Sequence, residues 1–251
     1  MSAFLAPNQD FSAGSIEHIA AVSLIVAAGL WATYQARKHP EKAETITRLF
    51  AWVLVGNVLL WQLIKLGVSS LAPTHPAYVS YKLGEDLPLN PCNWLAFVAL
   101  AYVYSKREWL WHLLYFFVWV FTFNAVLTPS LYENFPHFTF CKFWIAHTGL
   151  VMFVIHLNRL KSPTIAFKHL LKAYLYLQIF TVISLGINAL IGTEANYFFL
   201  SHKPFSASVL DILGEWPYYI IQGDIIAFGL FVLAWLPYRF LTHRLRFRVS
   251  S

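Results

Sequence analysis

Seven apolar runs, each ended by a polar or Pro/Gly-containing break, leave this chain few ways to fold. They cover residues 15–34, 45–66, 91–104, 109–127, 140–158, 170–191 and 217–238. Twenty residues of α-helix rise about 30 Å, the thickness of a bilayer's hydrocarbon core. Lipid also requires each backbone polar group to be satisfied within the protein, which a helix achieves by itself. Composition agrees: 58% of the residues are hydrophobic and only 12% charged, against about 25% charged in a soluble domain. A water-facing surface cannot be built from so few charges. The predicted fold is therefore all-α, a single polytopic transmembrane bundle of about seven helices over residues 1–251, with no separate soluble domain. No basic residue precedes the first run, so it reads as a retained helix, not a cleaved signal peptide.

The formal charge of +6 would hint at nucleic acid in a soluble protein, but its placement is topological. Arg37, Lys38, Lys42 and Arg48 surround the first break, Lys106 and Arg107 the third, and Arg159, Lys161, Lys168 and Lys172 the fifth. Arg239, Arg244, Arg246 and Arg248 form the tail. The opposite side carries Lys65, Lys82, Lys142 and Lys203. Basic residues mark the cytoplasmic side, so the expected N-terminus is outside and the C-terminus inside. Nucleic acid is not an expected partner; membrane lipid is.

Polar residues inside the spans recur at one height. Counting about 1.5 Å per residue from each basic end puts Asn57 about 14 Å up, His147 about 18 Å and Cys92 about 20 Å. Gln62 and Asp224 fall at about 21–22 Å, and Asn124 and Asn188 at about 24 Å. With Asn93 beside Cys92, these residues outline a candidate polar cavity in the outer half of the membrane. Interhelical hydrogen bonding accounts for Asn and Gln equally well, but less well for His147 and Asp224. A transporter or receptor-like bundle centred on Asp224 and His147 is the alternative. No metal-ligand pattern, HExxH, GxSxG or P-loop occurs, and no cofactor is expected.

Cys92 lies in Leu87-Pro88-Leu89-Asn90-Pro91-Cys92-Asn93-Trp94. Asn90 is a good N-cap and Pro91 a good first helical residue. Cys92 then occupies the first turn, where the helix dipole favours the nucleophilic thiolate. A cysteine with a histidine base, here His147, is the minimum equipment for covalent acyl transfer. The bland alternatives are an apolar filler cysteine or a Cys92–Cys141 disulfide, both residues lying towards the outer side.

The stretch around Cys92 carries a family likeness. Asn57 with Trp61-Gln62, Leu87-Pro88-Leu89 leading to Cys92, Leu127-Thr128-Pro129, Phe143 with His147, Asn196-Tyr197, Lys203-Pro204 and Leu210 to Pro217 occur in a fixed order. In these the chain resembles the YwaF-type bacterial integral membrane proteins, which belong with the transmembrane-protein-164 acyltransferases of animals. At position 90, where the bacterial relatives usually carry His, this chain has Asn90. The resemblance implies a seven-helix fold and transfer of fatty acyl chains between a phospholipid and a lysophospholipid. It further implies a thioester on Cys92, His147 as base, and residence in the bacterial cytoplasmic (inner) membrane.

Overall fold

The computed structural model describes residues 3–75, 77–161, 164–204 and 209–249, with the backbone alone for Val209 and residues 240–249. Among the described residues seven helices carry the fold: α1 (Ile16–Lys38), α2 (Ala43–Ser69), α3 (Pro91–Ser105), α4 (Glu108–Leu127), α5 (Phe138–Lys161), α6 (Phe167–Ile191) and α7 (Tyr218–Val249). Short 3-10 turns occupy Pro40–Lys42, Tyr197–Phe199 and Val209–Ile212, and no strand occurs among the described residues. Six of the seven, all but α3, are long and apolar enough to cross a membrane. With 15 residues, α3 is about 22 Å long, shorter than the hydrocarbon core.

Local signals explain the helix ends. The Ser15 side chain accepts the His18 N–H at the start of α1, with Glu17 in the first turn and Arg37 and Lys38 in the last. Both charge placements complement the helix dipole. α3 stops at Lys106, whose left-handed backbone (φ 54°) caps it. α7 outruns its expected end at 238 and passes through Pro237 to Val249. The expected boundary marks where apolar composition ends, yet a helix satisfies its backbone in water as well as in lipid. The side chains of Arg244, Arg246 and Arg248 lie outside the described residues.

α5 is the hub, packing against α1, α2, α3 and α4, while α3 also meets α2 and α4, α4 meets α6, and α6 meets α7. The α1–α5 crossing is close: a Cβ on Gly29 would stand 2.7 Å from Met152 Cβ. At the basic end of the bundle His156, fully buried, joins three helices. Its Nδ1 is 3.1 Å from Thr33 Oγ1 on α1 and its Nε2 is 2.9 Å from Thr47 Oγ1 on α2. The core between α3, α4 and α7 is aromatic, with Phe116 stacked on Phe231 at 5.3 Å and Trp94 edge-on to Phe117 at 5.5 Å.

Within α4 the residues Val118–Thr122 form a π-helical turn. The extra residue per turn rotates the following side chains relative to a straight α-helix. This segment packs against α3, α5 and α7.

Candidate active site

The chain reaches Cys92 through a connection held by polar clamps. Gln62 on α2 donates to the Asp86 carbonyl (2.6 Å) and accepts from Tyr81 OH (2.9 Å). The buried Asp86 carboxylate accepts the Lys82 N–H (2.7 Å) and pairs with Lys65 Nζ at 3.3 Å. From the other side Tyr197 OH donates to the Leu83 carbonyl (2.6 Å) and accepts the Leu87 N–H (2.9 Å). Tyr197 is itself fixed by Asn188 on α6, which accepts its N–H (2.9 Å) and donates to its carbonyl (3.1 Å). Asn90 makes no side-chain cap; its Oδ1 accepts the Phe198 N–H instead (3.3 Å). Residues far apart in sequence thus hold the segment that starts α3.

Burial pushes the Tyr197 phenol up to about 12, with the bond from Leu87 N–H acting in the opposite sense. A phenol is near 10 in an unfolded chain, so the fold favours the protonated form. The contribution is complete below about pH 10 and is lost as pH rises through 12. Tyr197→Phe is expected to flatten the loss of stability over that interval. It should also cost about 1–3 kcal/mol at neutral pH, because the Leu87 N–H and Leu83 C=O lose their partner. Thermal unfolding of the two proteins in detergent from pH 8 to 12 checks both effects; parallel curves would refute the first.

Cys92 sits in the first turn of α3, half-buried, with Sγ 3.8 Å from Thr122 Oγ1. Thr122 is fully buried and belongs to the π-helical turn. Asn93 N–H and Trp94 N–H both reach back to the Asn90 carbonyl, at 2.9 and 3.4 Å, and Pro91 has no N–H. The Cys92 N–H remains a first-turn donor without an intrahelical acceptor. The buried Asn93 Oδ1 and Trp94 Nε1 have no hydrogen-bond partner among the described residues.

His147 on α5 is buried, and its Nδ1 is 2.8 Å from the Phe143 carbonyl. A carbonyl only accepts, so Nδ1 carries the proton and Nε2 holds the free lone pair. Phe143 also covers the ring, with centroids 4.1 Å apart. No hydrogen bond joins Cys92 to His147 among the described residues. The charge of Lys142, on α5, acts on Cys92, His147 and Asp86. Its Nζ lies over the Trp61 ring at 4.9 Å, and its carbonyl accepts from Asn57 Nδ2 at 3.1 Å.

The polar residues singled out in the sequence therefore separate. Asn57, Gln62 and Asn188 belong to the clamps around the α2–α3 connection and α5. Asn93 stands beside Cys92. Asn124, half-buried, lies two residues beyond Thr122, and its backbone carbonyl accepts the Thr128 N–H and hydroxyl at 2.8 and 3.0 Å. Asp224 on α7 is held between Tyr174 OH (2.5 Å) and Gln178 Nε2 (2.7 Å) on α6. Both cysteines are free, and Cys141 packs with Leu131, Phe140 and Trp144. Lys142 and Thr122 did not emerge from the sequence. In the sequence Lys142 reads only as an outer-side charge, and no residue pattern marks a π-helical turn. No group of three or more His, Cys, Asp or Glu is arranged to hold a metal among the described residues.

Compared with known proteins, residues 13–235 match the sequence model of the TMEM164 family. No curated protein and no solved structure matches the chain.

Proposed function

The chain belongs to the TMEM164 family, and we propose that it is a membrane-embedded acyltransferase that carries a fatty acyl group on Cys92 as a thioester. The observation behind this reading is the setting of Cys92: it lies in the first turn of α3, its Sγ is 3.8 Å from the Thr122 hydroxyl, and the charge of Lys142 acts on it. Each favours negative charge on sulfur or on an oxygen bonded next to it.

In the first step the Cys92 thiol gives its proton to His147 Nε2, and the thiolate attacks the carbonyl carbon of a phospholipid ester. Such contacts commonly close only when substrate is seated, directly or through one water. The Cys92 N–H and the Lys142 ammonium face the developing oxyanion. Collapse breaks the ester C–O bond; the leaving alkoxide takes the proton from His147, giving a lysophospholipid and the S-acyl enzyme. In the second step a lysophospholipid hydroxyl gives its proton to His147, its oxygen attacks the thioester carbonyl, and Cys92 leaves as thiolate and is reprotonated. The apolar bundle holds the acyl chain. In this reading the N-terminus faces outward, the C-terminus faces the cytoplasm, and the host membrane is a bacterial inner membrane.

Incubation of the purified protein with a radiolabelled-acyl phospholipid is expected to label it. Neutral hydroxylamine should remove the label, and peptide mapping should place it on Cys92. His147→Ala should slow labelling by about 10²–10⁴-fold, the usual worth of a general base. Labelling that survives hydroxylamine, or that maps elsewhere, would sink the proposal. The transporter alternative would centre on Asp224, whose carboxylate is already engaged by two donors.

A further inference from the structure

At the end of the bundle opposite the α2–α3 connection lies a cavity of about 370 Å³. Its walls come from α1 (Ala36, Arg37), the first turn of α2 with Pro40 before it (Ala43, Glu44, Thr47), Lys106 after α3, and the last turn of α5 (Arg159 to Lys161). Four cations, Arg37, Lys106, Arg159 and Lys161, face one carboxylate, Glu44. That carboxylate is already committed to Lys106 at 2.7 Å and to Arg48 at 3.0 Å. Arg37, Arg159 and Lys161 have no carboxylate within ion-pair distance among the described residues; Lys161 lies over the Tyr102 ring at 5.4 Å. The positive-inside rule explains basic residues at this end of the helices. It does not require three of them to line one concavity whose single carboxylate, Glu44, is already paired with Lys106 and Arg48.

Hydrogen bonds tie together three of the helices that wall the cavity. Thr47, in the lining, gives its hydroxyl proton to the Ala43 carbonyl (2.8 Å) and lies 2.9 Å from His156 Nε2. Thr33 bonds the other side of the same imidazole, so α1, α2 and α5 are pinned together one to two turns from the mouth. A volume near the lower end of the range for ligand pockets fits a headgroup-sized anion. Two arginines present planar forks suited to tetrahedral oxyanions. Basic pockets between helices at the inner face of a membrane are natural sites for anionic headgroups.

We propose that this cavity binds a phosphate group, carried by an anionic lipid headgroup or by a soluble phosphate. The ligand supplies the charge that Glu44 does not, and it ties the α1–α2 junction to the ends of α3 and α5. The proposal is independent of the chemistry at Cys92.

The test uses the full-length protein in neutral detergent. Thermal shift and native mass spectrometry are run with dioctanoyl phosphatidic acid, dioctanoyl phosphatidylcholine and inorganic phosphate. Saturable binding of phosphatidic acid or of phosphate, with little effect of phosphatidylcholine, is expected. Phosphatidic acid alone identifies a headgroup, and phosphate alone a soluble ligand. Arg159→Gln and Arg37→Gln should each weaken binding about tenfold. Lys172→Gln removes the same charge on α6, outside the lining, and should leave it within twofold. Binding of neither phosphate compound overturns the proposal. So does an equal loss in Lys172→Gln, which would indicate general surface charge, or unchanged affinity in both arginine variants.

Discussion

Cys92→Ala is expected to abolish the hydroxylamine-sensitive acyl label and to reduce acyl transfer by at least about ten-thousand-fold, the scale seen when a covalent nucleophile is removed. The fold should survive, because Cys92 is half-buried and loses only its sulfur, a cost of about 1 kcal/mol. Melting temperature and detergent gel filtration separate the two outcomes: a folded, inactive variant supports the mechanism, and a folded, fully active one rejects it. Asp224→Asn is the companion measurement. Gln178 can keep donating to the retained carbonyl oxygen, and the Tyr174 hydroxyl can turn to accept, so transfer should stay within about tenfold of wild type. Reversal of that order, with Asp224→Asn the more damaging change, would favour a transport bundle.

Gly84→Ala is expected to damage the same site without touching it. A Cβ at position 84 would stand 2.5 Å from the Glu194 carbonyl oxygen and 2.8 Å from Ala195 Cα. Both are backbone atoms and cannot swing aside as a side chain can. Gly84 O already accepts the Asn196 N–H at 3.2 Å, so the two loops touch at this point. Separating them pulls Tyr197 away from the Leu83 carbonyl and the Leu87 N–H. Overpacking of this kind costs about 1–3 kcal/mol. The start of α3 should lose its setting, with acylation of Cys92 slowed about tenfold or more and the melting temperature lowered. Wild-type stability and labelling rate in Gly84→Ala would show that the contact between residues 84 and 194–196 does not position Cys92.

The bundle was legible in the sequence because lipid leaves so few alternatives. Apolar runs of the right length, such as the one that becomes α6, must form helices when no water is available to the backbone. Asn90-Pro91 announced the start of α3 at the observed residue. The tail was less legible: hydropathy marks where lipid contact ends, not where a helix ends, so α7 runs on to Val249.

Depth along each span could be counted from its basic end, and that count placed Cys92, His147 and Asp224 in one layer. What counting could not supply was direction around the helix. A helix bathed in lipid on one side and packed against apolar neighbours on the other is hydrophobic all round, so periodicity does not reveal its inward face. Only tertiary packing turned Asp224 towards Tyr174 and Gln178, brought Lys142 into electrostatic reach of Cys92, and used a π-helical turn to set Thr122 against its sulfur. The sequence by itself determined that most of these helices are long and apolar enough to cross a membrane and where along each of them the polar residues fall. The tertiary structure decided which of those groups meet.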